Sequence, residues 1–164
     1  MLKGCVTRNG KRQAVIVMET RKKRIRSFED LEVYQNAYEA MRVAYKEIIP
    51  KLPKEEDYDL KDQLRRSTKA VPRLIAEGHS KRHQKKSFQK YIDDSMAESN
   101  ETIVSLSQAR DLYPACVDLE LSNQLIDTYD KINRQLYNLA LSRDKFNRRD
   151  RKTNDDSSYA TDRR

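Results

Sequence analysis

A pattern of apolar and basic residues at helical spacing runs from Leu60 to Gly78. On a helical wheel of about 100° per residue, one side collects Leu60, Leu64, Thr68, Val71 and Ile75 within about 40° of one line. The opposite side collects Arg65, Arg66, Lys69 and Arg73. The pattern therefore predicts one amphipathic helix with a buried inner face and a basic outer stripe.

Two residues of this helix are unusual for a helix interior. Pro72 removes a backbone donor and leaves the carbonyl of Thr68 without its partner, which predicts a kink. The hydroxyl of Ser67 or Thr68 is placed to satisfy that gap in part. Gly78 costs about 1 kcal/mol relative to Ala inside a helix. It indicates either the end of the helix or a close approach of another backbone, and the sequence leaves both alternatives open.

An earlier segment predicts a first helix from Phe28 to Ile49. Ser27 with Asp30 three residues later is a start signal of the capping-box type, and the helix ends before Pro50. Apolar and aromatic residues then repeat at spacings of three and four, which predicts an inward face of Leu31, Tyr34, Tyr38, Met41, Tyr45 and Ile48.

Two later segments have the same periodicity. A third helix follows the connection from Ser80 to Gln84 and ends near Tyr113, before Pro114. Its predicted inward residues are Phe88, Ile92, Ser95, Ser99, Ile103, Leu106 and Ala109. A fourth helix begins near Leu119 and frays after Arg143. Its predicted seam is Leu121, Leu125, Ile132, Leu136 and Leu139, with Tyr129 beside it.

Four helices joined by short connections predict an all-α fold, an up-down-up-down antiparallel four-helix bundle with disordered basic tails. The chain has 164 residues, of which 37% are hydrophobic and 37% charged, so it fits one domain with tails. We expect a basic, disordered extension at 1–26, the bundle at 27–143 and a disordered polar tail at 144–164. Within the extension, Ala14 to Met18 has the composition of a short strand but no obvious partner.

Positive charge is unevenly distributed along the chain. Residues 1–26 contain nine Lys or Arg and one Glu, and residues 143–164 contain eight Lys or Arg and five Asp. The net charge of +8 therefore leaves the body between them at −3. Within that body, Lys61 to Lys90 nevertheless contains ten basic residues against two acidic ones. The residues predicted to contact nucleic acid are Arg65, Arg66, Lys69, Arg73, Lys81, Arg82, Lys85 and Lys86.

The sequence offers no constellation typical of catalysis. His79 and His83 are four apart but lack a third ligand at a suitable spacing, so solvated surface histidines are the favoured interpretation. Glu98 and Glu101 lack the Glu-x-x-His motifs of a di-iron bundle. Neither a Gly-rich phosphate loop nor a nucleophile elbow is present. We therefore expect no cofactor and no metal, and an enzyme is the class that the sequence favours least.

Cysteine usage and hydropathy bear on the compartment. Cys5 and Cys116 have no CxxC partner, so reduced thiols are expected rather than a disulfide or a zinc site. The chain contains no apolar run long enough to span a bilayer, and its start lacks the features of a secretory signal. We expect a cytoplasmic protein that does not associate with membranes.

The stretch from Gln63 to Gly78 reads Q-L-R-R-S-T-K-A-V-P-R-L-I-A-E-G. It resembles the pattern Q-L-R-R-A-A-x-S-I-P-x-N-I-A-E-G of small four-helix bundle proteins encoded in intervening sequences of large-subunit (23S) ribosomal RNA genes. Ala70 stands where Ser is usual and Leu74 where Asn is usual, so the polar roles of those positions do not carry over. The resemblance covers roughly Phe28 to Leu141. The matching residues are Gln63, Leu64, Arg65, Arg66, Pro72, Ile75, Ala76, Glu77 and Gly78.

The resemblance implies a homo-oligomer, because the family includes ring-like and often pentameric bundles. The family is also similar to the accessory variability determinant proteins of diversity-generating retroelements, which assist a reverse transcriptase by binding the enzyme and its RNA template. One hypothesis is therefore a nucleic-acid-binding oligomer, for RNA rather than DNA, with a reverse transcriptase as a possible partner. The alternative is a structural assembly module whose exposed charge is only a solvated face.

A homo-oligomer is the first testable prediction. The resemblance motivates it, as does Tyr91, which lies next to Ile92 and is expected to be exposed and to widen the apolar face of the third helix. Light scattering on the full chain should give a multiple of the 19.4 kDa chain mass. A monomeric mass at micromolar concentration would contradict the ring.

Overall fold

The computed structural model describes residues 25–158, with side chains described for residues 25–142. Within that range the chain forms four α-helices and no strand, which confirms the all-α class. The helices are α1 (Glu32–Val43), α2 (Leu60–Ser80), α3 (Lys85–Leu112) and α4 (Leu119–Ser158). None of these described helices is long and apolar enough to cross a membrane.

Predictions for both ends of the chain fall largely outside the described residues. The segments concerned are 1–24, with the stretch from Ala14 to Met18 and with Cys5, and 159–164. By contrast, α4 passes the predicted end at Arg143 and continues to Ser158, so helical backbone covers most of the segment for which the sequence predicts a disordered tail. No glycine or proline follows Pro114, and therefore no residue there is a strong helix breaker.

The predicted start signal caps a short turn rather than α1 itself. Ser27 Oγ accepts a hydrogen bond from the backbone N–H of Glu29 at 3.2 Å, and the Asp30 carboxylate accepts one from the Ser27 N–H at 3.2 Å. This capping box begins the 3-10 turn Phe28–Asp30, and α1 starts only after Leu31, whose backbone is extended. The first helix is therefore a composite of this 3-10 turn, the α-helix α1, a π-helical continuation of α1 (Ala44–Ile48) and a second 3-10 turn (Ile49–Lys51).

α1 buries a different face from the predicted one. The buried series is Val33, Ala37, Ala40 and Ala44. The predicted series Tyr34, Tyr38, Met41 and Tyr45 has the same spacing, displaced by one residue, and its members are half-buried or exposed. That prediction is wrong at these positions, although Leu31 and Ile48 are buried as expected. Small side chains in the core let α1 approach its neighbours closely, and the larger tyrosines lie beside the core rather than in it.

The other helices bury the predicted faces with small differences. Every predicted core residue of α2 is buried. On α3 only Ile103 among the predicted residues is half-buried, and Thr102 and Ser105 are buried in addition. On α4 Leu121 and Leu139 are half-buried, whereas Tyr129 lies in the centre of the core rather than beside it.

Hydroxyl groups join α3 to the helices on both sides of it. Thr102 donates to Ser67 Oγ on α2 at 2.9 Å, and Ser95 donates to the Val71 carbonyl at 3.2 Å. A third bond, 3.3 Å long, runs from Ser99 to the carbonyl of Tyr129 on α4. Because these side chains are short, they satisfy buried polar groups while allowing close approach of the helices.

Gly78 lies in the contact between α2 and α3. A Cβ atom at this position would be 3.3 Å from the Tyr91 Cβ and 3.4 Å from Ile92 Cδ1. α2 continues to Ser80, so Gly78 lies in the last turn of the helix, and the groups that approach it closely are side chains of α3 rather than another backbone. Tyr91 is half-buried in this contact, and its expected role as an exposed residue is therefore wrong.

Pro72 lies inside a continuous α2 and is buried. The two hydroxyls expected to compensate for its missing donor are engaged elsewhere. Thr68 donates to the Leu64 carbonyl, and Ser67 accepts from Thr102. The kink at Pro72 stays a prediction.

Substitution of Gly78 tests the importance of the α2–α3 contact. Gly78→Leu forces a side chain against Tyr91 and Ile92, and such overpacking typically costs about 1–3 kcal/mol. Ala97→Leu is a matched control on the exposed side of α3, with an expected change within about 0.5 kcal/mol. Urea unfolding measures both free energies. Equal stability of the two variants would contradict the close contact.

Candidate nucleic-acid interface

Three of the predicted cations form an exposed stripe on the outer face of α2, which we call the α2 stripe: Arg66, Lys69 and Arg73. The Arg66 side chain is 72% exposed and lies 3.0 Å from the Asp62 carboxylate. The Arg73 side chain is 69% exposed, and its Nε lies 3.8 Å from Glu77. Exposed pairs of this kind contribute only about 0.3–0.5 kcal/mol. Both arginines can therefore exchange these carboxylates for a phosphate at little cost.

Arg65 does not belong to this exposed stripe. It is half-buried, and its Nη1 donates to the Asp57 carbonyl at 3.4 Å. Its own carbonyl accepts a hydrogen bond from the Tyr45 hydroxyl at 3.2 Å. The Nζ of Lys69 lies 5.7 Å from the centroid of the Tyr45 ring, within the range of a cation–π interaction. Arg65 thus connects α2 to α1 and to the preceding loop, whereas Lys69 lies at the border between the stripe and the tyrosines of α1.

The other four predicted cations surround the connection between α2 and α3, and we call them the turn cluster: Lys81, Arg82, Lys85 and Lys86. All four are exposed. Arg82 Nη1 donates to the carbonyl of His79 at 3.1 Å, near the C-terminal end of α2. From the helical rise, Lys81 lies roughly 22 Å along α2 from Arg66. Apart from Arg65, the predicted residues therefore form two groups, one on the outer face of α2 and one at the connection between α2 and α3.

The first turn of α3 has an unfavourable charge arrangement. It begins with Lys85 and Lys86, contains no acidic residue, and has no side-chain cap from Gln84. The N-terminus of a helix carries partial positive charge, so lysines there are repelled and an anion would be attracted. The helix N-terminus therefore adds to the positive charge of the two lysines of the turn cluster that lie in this turn.

The α2 stripe, by contrast, lies near a carboxylate of α3. The pKa of Glu98 is raised, first by partial burial and then by Glu101 and Asp94, while Arg73 and Arg66 act in the opposite direction. The effect of both arginines on Glu98 implies that its charge also reduces the positive potential along the stripe.

The remaining titratable candidates are not gathered into a site. His83 is exposed, whereas His79 is half-buried, and burial together with Arg82 lowers the pKa of His79. His79 is therefore more covered than the solvated surface histidine that the sequence favours. Among the described residues, no three His, Cys, Asp or Glu side chains are grouped as metal ligands would be. Cys116 is an exposed free thiol.

The structure contains a groove between α1 and α2 that the sequence did not predict. One wall is aromatic and contains Phe28, Tyr34 and Tyr38, and the other includes Lys69 and Arg73 of the stripe. The sequence periodicity places these tyrosines in the core, and for that reason it did not predict an aromatic surface here. The available signal was the second helical series on α1, made of valine and alanine and displaced by one residue. Small residues at core spacing next to an aromatic series indicate that the aromatic series lies outside the core.

Comparison with known proteins gives one positive result. Neither the curated proteins nor the solved structures include a match to this chain. Residues 29–138 match the model of the 23S rRNA-intervening sequence protein family, and this range extends from the turn before α1 into α4. The match covers more than half of the chain and includes the whole of the Gln63 to Gly78 stretch as well as both groups of cations. The chain therefore belongs to the 23S rRNA-intervening sequence protein family.

Proposed function

We propose that this protein binds nucleic acid, RNA rather than DNA, through the α2 stripe and the turn cluster, and that it catalyses no reaction. The observation that supports this best is the turn cluster, four exposed cations at the end of α2 and in the first turn of α3, where no residue is acidic. Arginine offers bidentate contacts to phosphate and lysine a point charge, and contacts to phosphate hold a nucleic acid without reading its sequence.

The helices of this binding surface are best accounted for by an up-down-up-down antiparallel bundle. Gly78, late in α2, lies beside Tyr91 early in α3, whereas Ser67, earlier in α2, bonds to Thr102, later in α3. Opposite order of contacts is what antiparallel neighbours produce. Contacts between other neighbours follow the same order, as in the pairs Arg110–Asn123 and Asn100–Asn133. In this arrangement α2 presents its outer face along the length of the bundle.

Assembly into a ring, a pentamer by resemblance, would repeat the basic surface around a symmetry axis. An RNA strand could then contact several copies, and multivalent contact raises overall affinity without new interactions in each copy. A reverse transcriptase that uses an RNA template is the partner that the resemblance favours. The second candidate is a structural assembly module, supported by exposed apolar side chains such as Val104 and Leu112 on α3.

Two triple variants of the full chain test the two groups of cations separately. They are Arg66→Gln, Lys69→Gln and Arg73→Gln for the α2 stripe, and Lys81→Gln, Arg82→Gln and Lys86→Gln for the turn cluster. If each side chain neutralises one phosphate of a single-stranded RNA oligonucleotide, the log-log salt slope of affinity should become shallower by about 0.7 per contact, or roughly two units for each triple variant. Titrations at several salt concentrations measure this slope.

A third triple variant of equal charge change serves as the control: Lys46→Gln, Lys51→Gln and Lys54→Gln. These lysines are exposed at the end of α1 and in the loop before α2. The control should keep the wild-type slope. The same shift in all three variants would mean that only net charge matters, and no shift in the stripe and turn variants would leave the assembly module as the better hypothesis.

Glu98→Gln provides a test in the opposite direction. Removal of this carboxylate should strengthen RNA binding at low salt, because Arg66 and Arg73 then lose a nearby negative charge.

The raised pKa of Glu98 means that the folded state binds the Glu98 proton more tightly than the unfolded state, so ionisation of Glu98 lowers stability as pH rises. The variant should therefore be more stable than wild type near pH 7 and equal to it well below 4.5, the ordinary pKa of this group. Urea unfolding at both pH values measures the free energies of unfolding of the variant and of wild type. The same difference between them at both pH values would contradict this account.

A further inference from the structure

Three aromatic rings form a row along the edge of α1. The Phe28 ring meets Tyr34 edge-on, with centroids 4.9 Å apart at 74°, and Tyr34 stacks on Tyr38 at 5.9 Å and 23°. Phe28 and Tyr34 are half-buried, whereas Tyr38 at the end of the row is 47% exposed. The capped turn before α1 holds Phe28 in place, so the row is supported from one side and open at Tyr38.

The opposite wall of the groove is cationic. α2 contributes Lys69 and Arg73, with Pro72 and Ala76 as its apolar lining. The groove has a volume of about 230 Å³, below the roughly 300–1,000 Å³ of pockets that hold a whole small-molecule ligand. Its size therefore fits one planar group lying between an aromatic wall and a cationic wall.

We infer that this groove stacks an unpaired base of single-stranded nucleic acid on Tyr38, while the neighbouring phosphates contact Lys69 and Arg73. The inference rests on the proposed function and assigns single strands as its substrate class. Stacking on an aromatic side chain tolerates every base, because every base has a π-face. A duplex keeps its bases paired and stacked within itself, so it would meet the cations but not the tyrosines.

Charge favours this occupant over an apolar segment from a second copy of the chain. Lys69 makes no ion pair among the described residues, and Arg73 is held only by the 3.8 Å contact to Glu77. An apolar segment laid into the groove would remove water from both cations without replacing it, which is costly. A nucleotide supplies an apolar ring and an anion together. Glu29, which contributes to the raised pKa of Tyr34, and Glu77 are carboxylates near the groove that would limit its affinity for anions alone.

Tyr38→Ala in the full chain tests the inference with a single-stranded RNA oligonucleotide and with a duplex of the same sequence. Loss of one stacked base should weaken single-strand binding by roughly 5- to 150-fold. Tyr38→Phe keeps the ring and should bind as wild type. Binding of the duplex should change little, and the salt slope of single-strand binding should stay the same, because no cation is lost.

Tyr58→Ala is the matched control, since Tyr58 is a 97% exposed tyrosine in the loop before α2, outside this groove. Wild-type affinity of Tyr38→Ala, together with weakened binding by the stripe variant, would overturn the stacking site and leave the proposed function intact. If the wild-type chain binds neither RNA, both fail. A smaller mass of Tyr38→Ala in light scattering would identify the groove as a contact between copies and overturn the inference.

Photocrosslinking supplies a direct measurement of position. A single-stranded RNA that contains 5-iodouridine should form its adducts on Tyr38 or Tyr34, because the crosslink requires the base and the ring to be in contact. Mass spectrometry of the digested complex identifies the modified residue. Adducts found only on tyrosines elsewhere, such as Tyr58 or Tyr137, would overturn the inference even if Tyr38→Ala weakens binding.

Discussion

The close contact between α2 and α3 is the constraint on which the rest of the structure depends. It is possible because Gly78 has no side chain at the point where Tyr91 and Ile92 approach, and because Ser67 and Thr102 satisfy each other across the interface. A larger residue at either place would separate the helices. This contact positions α2 against α3, and the turn cluster lies at the connection between the two helices.

Packing of α1 decides what lies beside that basic surface. Because α1 uses alanines such as Ala37 and Ala40 for the core, its tyrosines are displaced toward α2 and its cations. Lys69 then lies over the Tyr45 ring and close to Tyr38 across the groove. An arrangement that is explained by core packing alone thus creates a surface with both aromatic and cationic character, which is what binding of unpaired nucleotides requires.

The two groups of cations differ in their electrostatic surroundings. Arg66 and Arg73 of the stripe have carboxylates within reach on α2, and Glu98 lies near both. The turn cluster includes two lysines in the first turn of α3, where no residue is acidic and where the helix N-terminus adds its own partial positive charge. In the proposed interface, the turn cluster would therefore combine side-chain charge with the helix dipole, whereas the stripe would supply positioned contacts whose charge nearby carboxylates reduce.

Periodicity in the sequence was sufficient to predict four helices, the buried face of α2 and most of the buried faces of α3 and α4, because apolar residues there form only one series at helical spacing. It was also sufficient to locate the basic residues, since charge can be counted directly. It could not choose between the two series of α1, where tyrosines and alanines have the same spacing and only the distance to neighbouring helices decides which is buried. The groove beside Lys69, the partial burial of Arg65 and the role of Gly78 likewise depended on tertiary contacts, because each is set by residues distant in sequence.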